Sequence, residues 1–172
     1  MTGLDPTTDQ ILQICCFVTD AHLNLLDTAG FETVVHVPQP ALDAMSQWCI
    51  DTHGRTGLTA RVQNSTVTPE TAAAELLSYI KRYVPKARTA LLAGNSVHAD
   101  RGFLACGPYA AVLEWLHYRI VDVSTIKEVV RRWGREEVLG NVPRKKEVHE
   151  AREDILESIE EMKYYRSVLF RE

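Results

Sequence analysis

Two aspartates and a histidine are the residues of this 172-residue sequence whose types suit hydrolytic chemistry. Asp100 follows an apolar run and the turn Gly94-Asn95-Ser96, a position where α/β proteins commonly place ligand-binding groups. His149 and Asp154 stand where a C-terminal helix is predicted to begin. Carboxylates hold divalent cations, a bound cation lowers the pKa of water, and histidine can accept the proton. The set predicts metal-assisted phosphodiester hydrolysis, whereas each residue alone has a simpler interpretation as a surface or capping group.

The spacing of His149 and Asp154 limits how the two side chains can meet. On one ideal helix, residues five positions apart point about 140° away from each other. They converge only if His149 lies at or before the helix start and Asp154 lies in the first turns. Polar residues precede His149 and the apolar pattern begins at Ile155, so the sequence permits this arrangement.

The elements that would position these residues begin with a hairpin. The apolar run Ile11–Val18 and the run Thr33–Val37 are rich in β-formers and predict two strands. A turn around Asp27–Gly30 joins them. Farther along, Thr89–Ala93 and Tyr118–Val123 predict two more strands.

Helices alternate with the later strands. Thr68 followed by Pro69 predicts a capped helix start, and Pro85 predicts its end. Ser124 is predicted to cap a helix after the last strand, and a long helix begins near His149. The loop Gly140–Val148 is the predicted mobile segment. Strands first, then alternating helix and strand, predict an α/β layered fold with a mixed sheet.

Length and charge limit the substrate. The chain suits a single domain over residues 1–172, and its formal net charge is −4. Wrapping of long nucleic acid usually needs a basic domain, so a nucleic-acid substrate should be short and held in a local pocket. The four cysteines show no C-x-x-C spacing, which indicates free thiols in a reducing compartment. The N-terminus shows no signal or transit pattern, and no apolar stretch reaches membrane-spanning length.

Five segments over nearly the whole chain resemble the oligoribonuclease family of DEDD exonucleases, in the variant with a histidine in its third motif. The segments are MTGLDPTTDQILQ, MSQWCIDTHGRTGLT, LLAGNSVHADRGFL, LHYRIVDVSTIKE and HEAREDI. The resemblance implies a ribonuclease-H-like mixed β-sheet flanked by helices. It also implies removal of nucleotides from the 3′ end of very short RNAs, finally dinucleotides. Two divalent ions (Mg or Mn), a homodimer and a cytoplasmic or mitochondrial location complete the implied properties.

The resemblance also implies roles for single residues. Asp100 matches the aspartate of the second motif, His149 the general base and Asp154 the final metal-binding aspartate. The residues that match the family's substrate-binding positions are Leu4, Trp48, Ser96, Tyr118, Arg119 and Ser124, with His53 a weaker candidate. Leu4 is expected to wedge against the bases, Trp48 to stack on one, and Ser96 to meet the substrate phosphate. Tyr118, Arg119 and Ser124 match residues that close over the 5′ phosphate of the substrate, partly from the neighbouring subunit.

The sequence departs from the family pattern at two places. An Asp-x-Glu motif directly precedes Met-Thr-Gly-Leu in the family, whereas here Met1 is that methionine, so the first strand is expected to be truncated. Two explanations remain open: a coding region begun at an internal methionine, or a genuine short form without activity. In the third motif, Glu150 and Arg152 stand where the family more often has arginine and leucine. Two functions therefore stay open: an exoribonuclease of short RNA, or a non-catalytic dinucleotide-binding or dimerisation module.

Overall fold

The computed structural model describes residues 1–144 and 150–170 of the chain. His149, and with it residues 145–148 of the predicted loop, lies outside the described residues. Within the described part, the helices are α1 Gln39–Asp43, α2 Gln47–Arg55, α3 Leu58–Asn64, α4 Pro69–Tyr83, α5 Val97–Leu104, α6 Ala110–Trp115, α7 Val123–Trp133, α8 Glu136–Gly140 and α9 Ala151–Leu169. The sequence had predicted α4, α7 and α9 of these.

Four short strands complete the described fold and confirm its α/β class. They are β1 Gln13–Cys16, β2 Phe31–Val34, β3 Leu92–Gly94 and β4 Ile120–Asp122. The first two pair antiparallel and the last two pair parallel, which gives the mixed strand directions that the sequence predicted. Each strand has one strand neighbour within residues 1–144 and 150–170.

The predicted hairpin is confirmed, but its strands are shorter and its connection is longer than expected. Residues 17–30 form the connection, and Asp20 organises it by accepting hydrogen bonds from the backbone of His22 and Asn24 at 2.8 and 2.9 Å. Val35 and Val37 are almost completely buried although they lie beyond the ladder. Burial therefore explains their apolar character, which the sequence had attributed to a strand.

Helix α4 follows its prediction closely. The Thr68 hydroxyl accepts a hydrogen bond from the Thr71 backbone N–H at 3.2 Å, and the helix ends at Tyr83, before Pro85. Ala72, Leu76 and Ile80 are buried on one face of α4 and pack into the main core. The helical spacing of the apolar residues and the capping signal therefore predicted the same helix.

Helix α9 joins the two strand pairs. It packs against β1, β3 and α7, and Tyr165 near its C-terminal end is completely buried. Because α9 contacts both pairs, its position determines how the residues at its N-terminal end face the rest of the site. In the described part of the chain, no helix is long and apolar enough to cross a membrane.

Candidate functional site

Asp100 lies in the first turn of α5 and is partly buried. Burial raises the pKa of its carboxyl group, and the nearby charge of Asp122 acts in the same direction. The positive charges of the Met1 amine and of His98 partly oppose this shift. A desolvated carboxylate with these neighbours gains stability from a bound cation.

The N-terminus of the chain approaches Asp100. Burial lowers the pKa of the Met1 amine, and the Asp100 carboxylate opposes that shift. The Met1 carbonyl lies 3.1 Å from Nε2 of His53 on α2. Burial also lowers the pKa of His53. Met1 therefore links Asp100 to α2, which carries Trp48.

A folded loop presents Leu4 to solvent. Asp9 accepts a hydrogen bond from the Thr2 hydroxyl at 2.7 Å and another from the Asp5 backbone N–H at 2.9 Å. A Cβ atom at Gly3 would lie only 2.4 Å from an Asp9 carboxylate oxygen, so the loop closes this tightly only around glycine. Leu4 is left 83% exposed. An exposed leucine on a well-held loop is consistent with a role in contacting a ligand.

Trp48 is also on the surface. It lies near the start of α2, where the Ser46 hydroxyl accepts a hydrogen bond from the Cys49 backbone N–H, and it is 63% exposed. A tryptophan serving the core would be largely buried. Its exposure favours base stacking over core packing.

Ser96 and Ser124 are brought together by Asp122. The Ser96 backbone N–H donates to Asp122 Oδ1 and to Ser124 Oγ, both at 3.0 Å, and the two serine hydroxyls lie 3.3 Å apart. Ser96 adopts a left-handed backbone conformation with φ of 52° to make this turn. The prediction that Ser124 caps α7 is wrong: Asp122 is the cap, because its carboxylate accepts from the Ser124 backbone N–H at 2.9 Å.

The two serines line a common surface cleft of about 360 Å³. Arg132 and the indole of Trp133, from the far end of α7, line the same cleft. The Arg132 guanidinium is paired with the Glu128 carboxylate, which also lines the cleft, so the Ser96 hydroxyl and the exposed indole are the groups best suited to meet a ligand there.

Asn95 connects this cleft to α9. Its side-chain amide donates to Ser158 Oγ at 2.7 Å and to Glu161 at 3.3 Å, while its oxygen accepts from Ser124 Oγ at 3.0 Å. The Ser158 hydroxyl in turn donates to the backbone carbonyl of Asp154 at 2.7 Å. Asp154, in the first turn of α9, is thus two hydrogen bonds away from the turn that begins α5.

Tyr118 and Arg119 form an exposed pair before β4. The Arg119 guanidinium lies 5.0 Å from the centre of the Tyr118 ring, which stacks on His117 with ring centres 4.5 Å apart. Tyr118 is 62% exposed. A stacked, solvent-facing arginine is well placed to bind a negatively charged group from outside the chain.

Among the predicted site residues, the structure joins Ser96 to Ser124 and stacks Arg119 on Tyr118. His149 lies outside the described residues. Sequence reasoning missed Asn95 and Asp122, which organise the turn around Ser96. An Asp ahead of Val-Ser-Thr is a common N-cap pattern and could have revealed Asp122, whereas nothing local marks Asn95 as a partner of α9.

The divalent ions that the resemblance implies can be compared with the ligands present. Asp100 and Asp154 supply hard carboxylate oxygens of the type such ions prefer, and Asp100 is partly desolvated. Within residues 1–144 and 150–170, however, no group of three or more His, Cys, Asp or Glu side chains is arranged to hold an ion. The described residues therefore offer ligands of the type that a divalent ion prefers, but too few of them to hold one.

Comparison with known proteins identifies the family. A family model described as an exonuclease, of the RNase T type, matches residues 1–162. The chain is 47% identical to an oligoribonuclease from Pseudoalteromonas atlantica, covering 99% of this chain and 91% of that protein. It is 44% identical to the mitochondrial oligoribonuclease of Mus musculus, covering 99% of this chain and 70% of that protein. An oligoribonuclease from Mycobacterium sp. strain KMS is 47% identical over 170 residues.

Proposed function

Because this chain belongs to the oligoribonuclease family, we propose that its 3′–5′ exoribonuclease activity on short RNA depends on Asp100 and Asp154, with His149 as the general base. The single observation that carries this assignment is the partly buried carboxylate of Asp100, which stands beside a turn hydrogen-bonded to the helix of Asp154. A dinucleotide is the smallest substrate that we propose. We also propose a cytoplasmic or mitochondrial location.

In this proposal, different exposed residues contact different parts of the substrate. Leu4 and Trp48 contact the bases, and the Ser96 hydroxyl donates to a phosphate oxygen in the cleft that it shares with Ser124. Ser124, whose own hydroxyl donates to Asn95, holds the Ser96 backbone N–H in place beside that phosphate. His53 lies behind Met1 and supports the N-terminal segment. These contacts suit a chain of very few nucleotides, in keeping with the net charge of −4.

We propose that Asp100 and Asp154 are ligands of two divalent ions, Mg or Mn. When bound, such ions activate water and stabilise the leaving oxygen of a phosphodiester. The protein's own part is to orient the substrate through Trp48 and the serines and to accept a proton at His149.

A ladder experiment tests the proposed direction and end point of the reaction. A 5′-labelled pentaribonucleotide with Mn²⁺ should shorten by one nucleotide at a time from its 3′ end, and a diribonucleotide should be converted to mononucleotides. Internal fragments as first products, or accumulation of dinucleotides as the end product, would contradict the proposal.

Replacement of Trp48 by alanine should weaken binding of a 5′-phosphorylated diribonucleotide. Loss of one base–aromatic stack costs about 1–3 kcal/mol. Because Trp48 is 63% exposed, the thermal midpoint should change little. Isothermal calorimetry gives the affinity and circular dichroism the midpoint. Phe170→Ala, at an exposed aromatic residue just after α9 that does not line the serine cleft, serves as the matched control. A large loss of stability in Trp48→Ala would indicate a core role instead.

We propose a homodimer in which Tyr118 and Arg119 lie at the subunit contact and reach the neighbour's substrate. The stacked, exposed pair supports this arrangement. Arg119→Ala should reduce dinucleotide affinity, because a guanidinium that grips phosphate is lost. Light scattering at micromolar concentration should give twice the chain mass. A monomer with full dinucleotide affinity would rule the proposal out.

A further inference from the structure

Arg152 makes a three-part contact with a distant segment of the chain. Its guanidinium donates to the Ala29 carbonyl at 2.7 Å and to the Thr28 carbonyl at 2.8 Å. It also lies 4.9 Å from the centre of the Phe17 ring. These partners belong to the 17–30 connection between β1 and β2, so Arg152 fastens the beginning of α9 to that connection.

Within the described part of the chain, the first turn of α9 has no side-chain cap, and Arg152 lies in it. Glu150 at the N-cap position makes no side-chain capping hydrogen bond among the described residues. A helix start without a side-chain cap frays more readily. Arg152 is in that same turn, and its partly buried side chain binds carbonyls that belong to another element. Its contacts do not satisfy the backbone N–H groups that a cap would bind, but they fasten the turn to the 17–30 connection.

The surface that receives Arg152 is itself closely packed. Gly30 has φ of +66°, and a Cβ atom there would lie 2.6 Å from the Phe17 ring. The ring is therefore held against the turn that supplies the two carbonyls. A fixed ring and two fixed acceptors define one position for the guanidinium.

Arg152 and Asp154 occupy different faces of α9. Residues two apart on a helix are separated by about 200°, so the two side chains point away from each other. The face of Asp154 continues to Ser158 and Glu161, which bind Asn95. Arg152 thus holds the first turn from the hairpin side while Asn95 holds the following turns from the other side.

We infer that Arg152 is a positioning residue that sets the location of the Asp154 carboxylate by fastening the first turn of α9 to the β1–β2 connection. The inference rests on the proposed role of Asp154 in the reaction. Arg152 itself is not expected to touch substrate, because both of its hydrogen bonds and its ring contact are made to the protein. Its replacement should therefore act on the rate and on ion affinity and leave the KM for dinucleotide nearly unchanged.

Arg152→Ala is the decisive variant, and Arg166→Ala is its matched control; leucine is avoided at position 152 because the family more often has leucine there. Arg166 is on the same helix and also contacts the 17–30 connection, with a guanidinium nitrogen 3.1 Å from Nδ1 of His22. We expect Arg152→Ala to speed hydrogen exchange in residues 151–154 and to lower Mn²⁺ affinity and the single-turnover rate on a diribonucleotide by about 10–100-fold. Arg152→Lys should retain part of both. Arg166→Ala should leave the exchange of that turn, the affinity and the rate within about twofold of the parent.

Two results would overturn the inference. One is unchanged exchange of residues 151–154 in Arg152→Ala; the other is equal loss of ion affinity in the Arg152 and Arg166 variants. Asp154→Asn, measured in parallel, separates this inference from the proposed function. If Asp154→Asn changes neither ion affinity nor rate, the role proposed for Asp154 is wrong. If it abolishes both while Arg152→Ala changes neither, only the inference about Arg152 is wrong.

Discussion

Adding a strand with Asp-x-Glu directly ahead of Met1 should raise turnover of a 5′-phosphorylated diribonucleotide by at least about 100-fold relative to the 172-residue chain. The Met1 amine interacts electrostatically with Asp100, so residues placed before Met1 emerge beside that carboxylate. Two more carboxylates there would supply negative charge against the mutual repulsion of two divalent ions. Even residues that only orient metal ligands typically contribute about 10–100-fold to activity or affinity.

The matched control for this extension carries Asn-x-Gln in place of Asp-x-Glu. The added strand can pair with the described strands in both forms, since each strand has a single strand neighbour among those residues. Both extensions should therefore raise the thermal midpoint, and only the acidic one should raise turnover. Equal turnover in the extended and unextended chains would contradict the account and would direct attention to other carboxylates such as Asp5 or Glu153.

Asp100→Asn should abolish turnover and stabilise the fold at the same time. In the extended chain the rate should fall by more than about 100-fold, because a proposed ligand is lost. In the 172-residue chain the free energy of unfolding at neutral pH should rise. Burial raises the pKa of the Asp100 carboxyl in the folded state, so the folded chain holds this proton more tightly than the unfolded chain does. Ionised Asp100 therefore costs stability, and asparagine removes that cost.

The pH dependence of the unfolding free energy shows directly whether ionised Asp100 destabilises the fold. The unfolding free energy of the parent should fall as pH rises from the ordinary aspartate value of 3.8 through the raised value in the folded state. Asp100→Asn should remove that part of the decline. Urea titrations across this range measure it, with Asp43→Asn on the exposed side of α1 as control. A parent and variant with parallel pH profiles would show that Asp100 is not destabilised by burial.

Local patterns predicted the elements whose signals are complete within a few residues. The start and end of α4 follow from Thr68, Pro69 and Pro85, and the hairpin follows from two apolar runs. The strand bounds were overestimated because Val35 and Val37 are buried beyond the ladder. The short helices α1 to α3 were not predicted, because each is only one to three turns long.

The sequence suggested candidate site residues but not the contacts that connect them to the rest of the fold. Trp48 and Leu4 were expected to meet substrate, and their exposure agrees with that expectation. The contact of Arg152 with Ala29 joins residues 123 positions apart, and that of Asn95 with Ser158 joins residues 63 apart. No local pattern records such contacts, because they arise only when α9 packs against both strand pairs.

A double-mutant cycle on Asp100 and Asp154 tests most directly whether the two carboxylates form one site. Mn²⁺ affinity by electron paramagnetic resonance and dinucleotide turnover are measured for the extended chain, for Asp100→Asn, for Asp154→Asn and for the double variant. Residues that act as a unit give strongly non-additive effects. The double variant should therefore bind Mn²⁺ no more weakly, and react no more slowly, than either single variant. Losses of affinity and rate that simply multiply in the double variant would show that the two aspartates do not act in one site. A single variant that keeps full ion affinity would show the same.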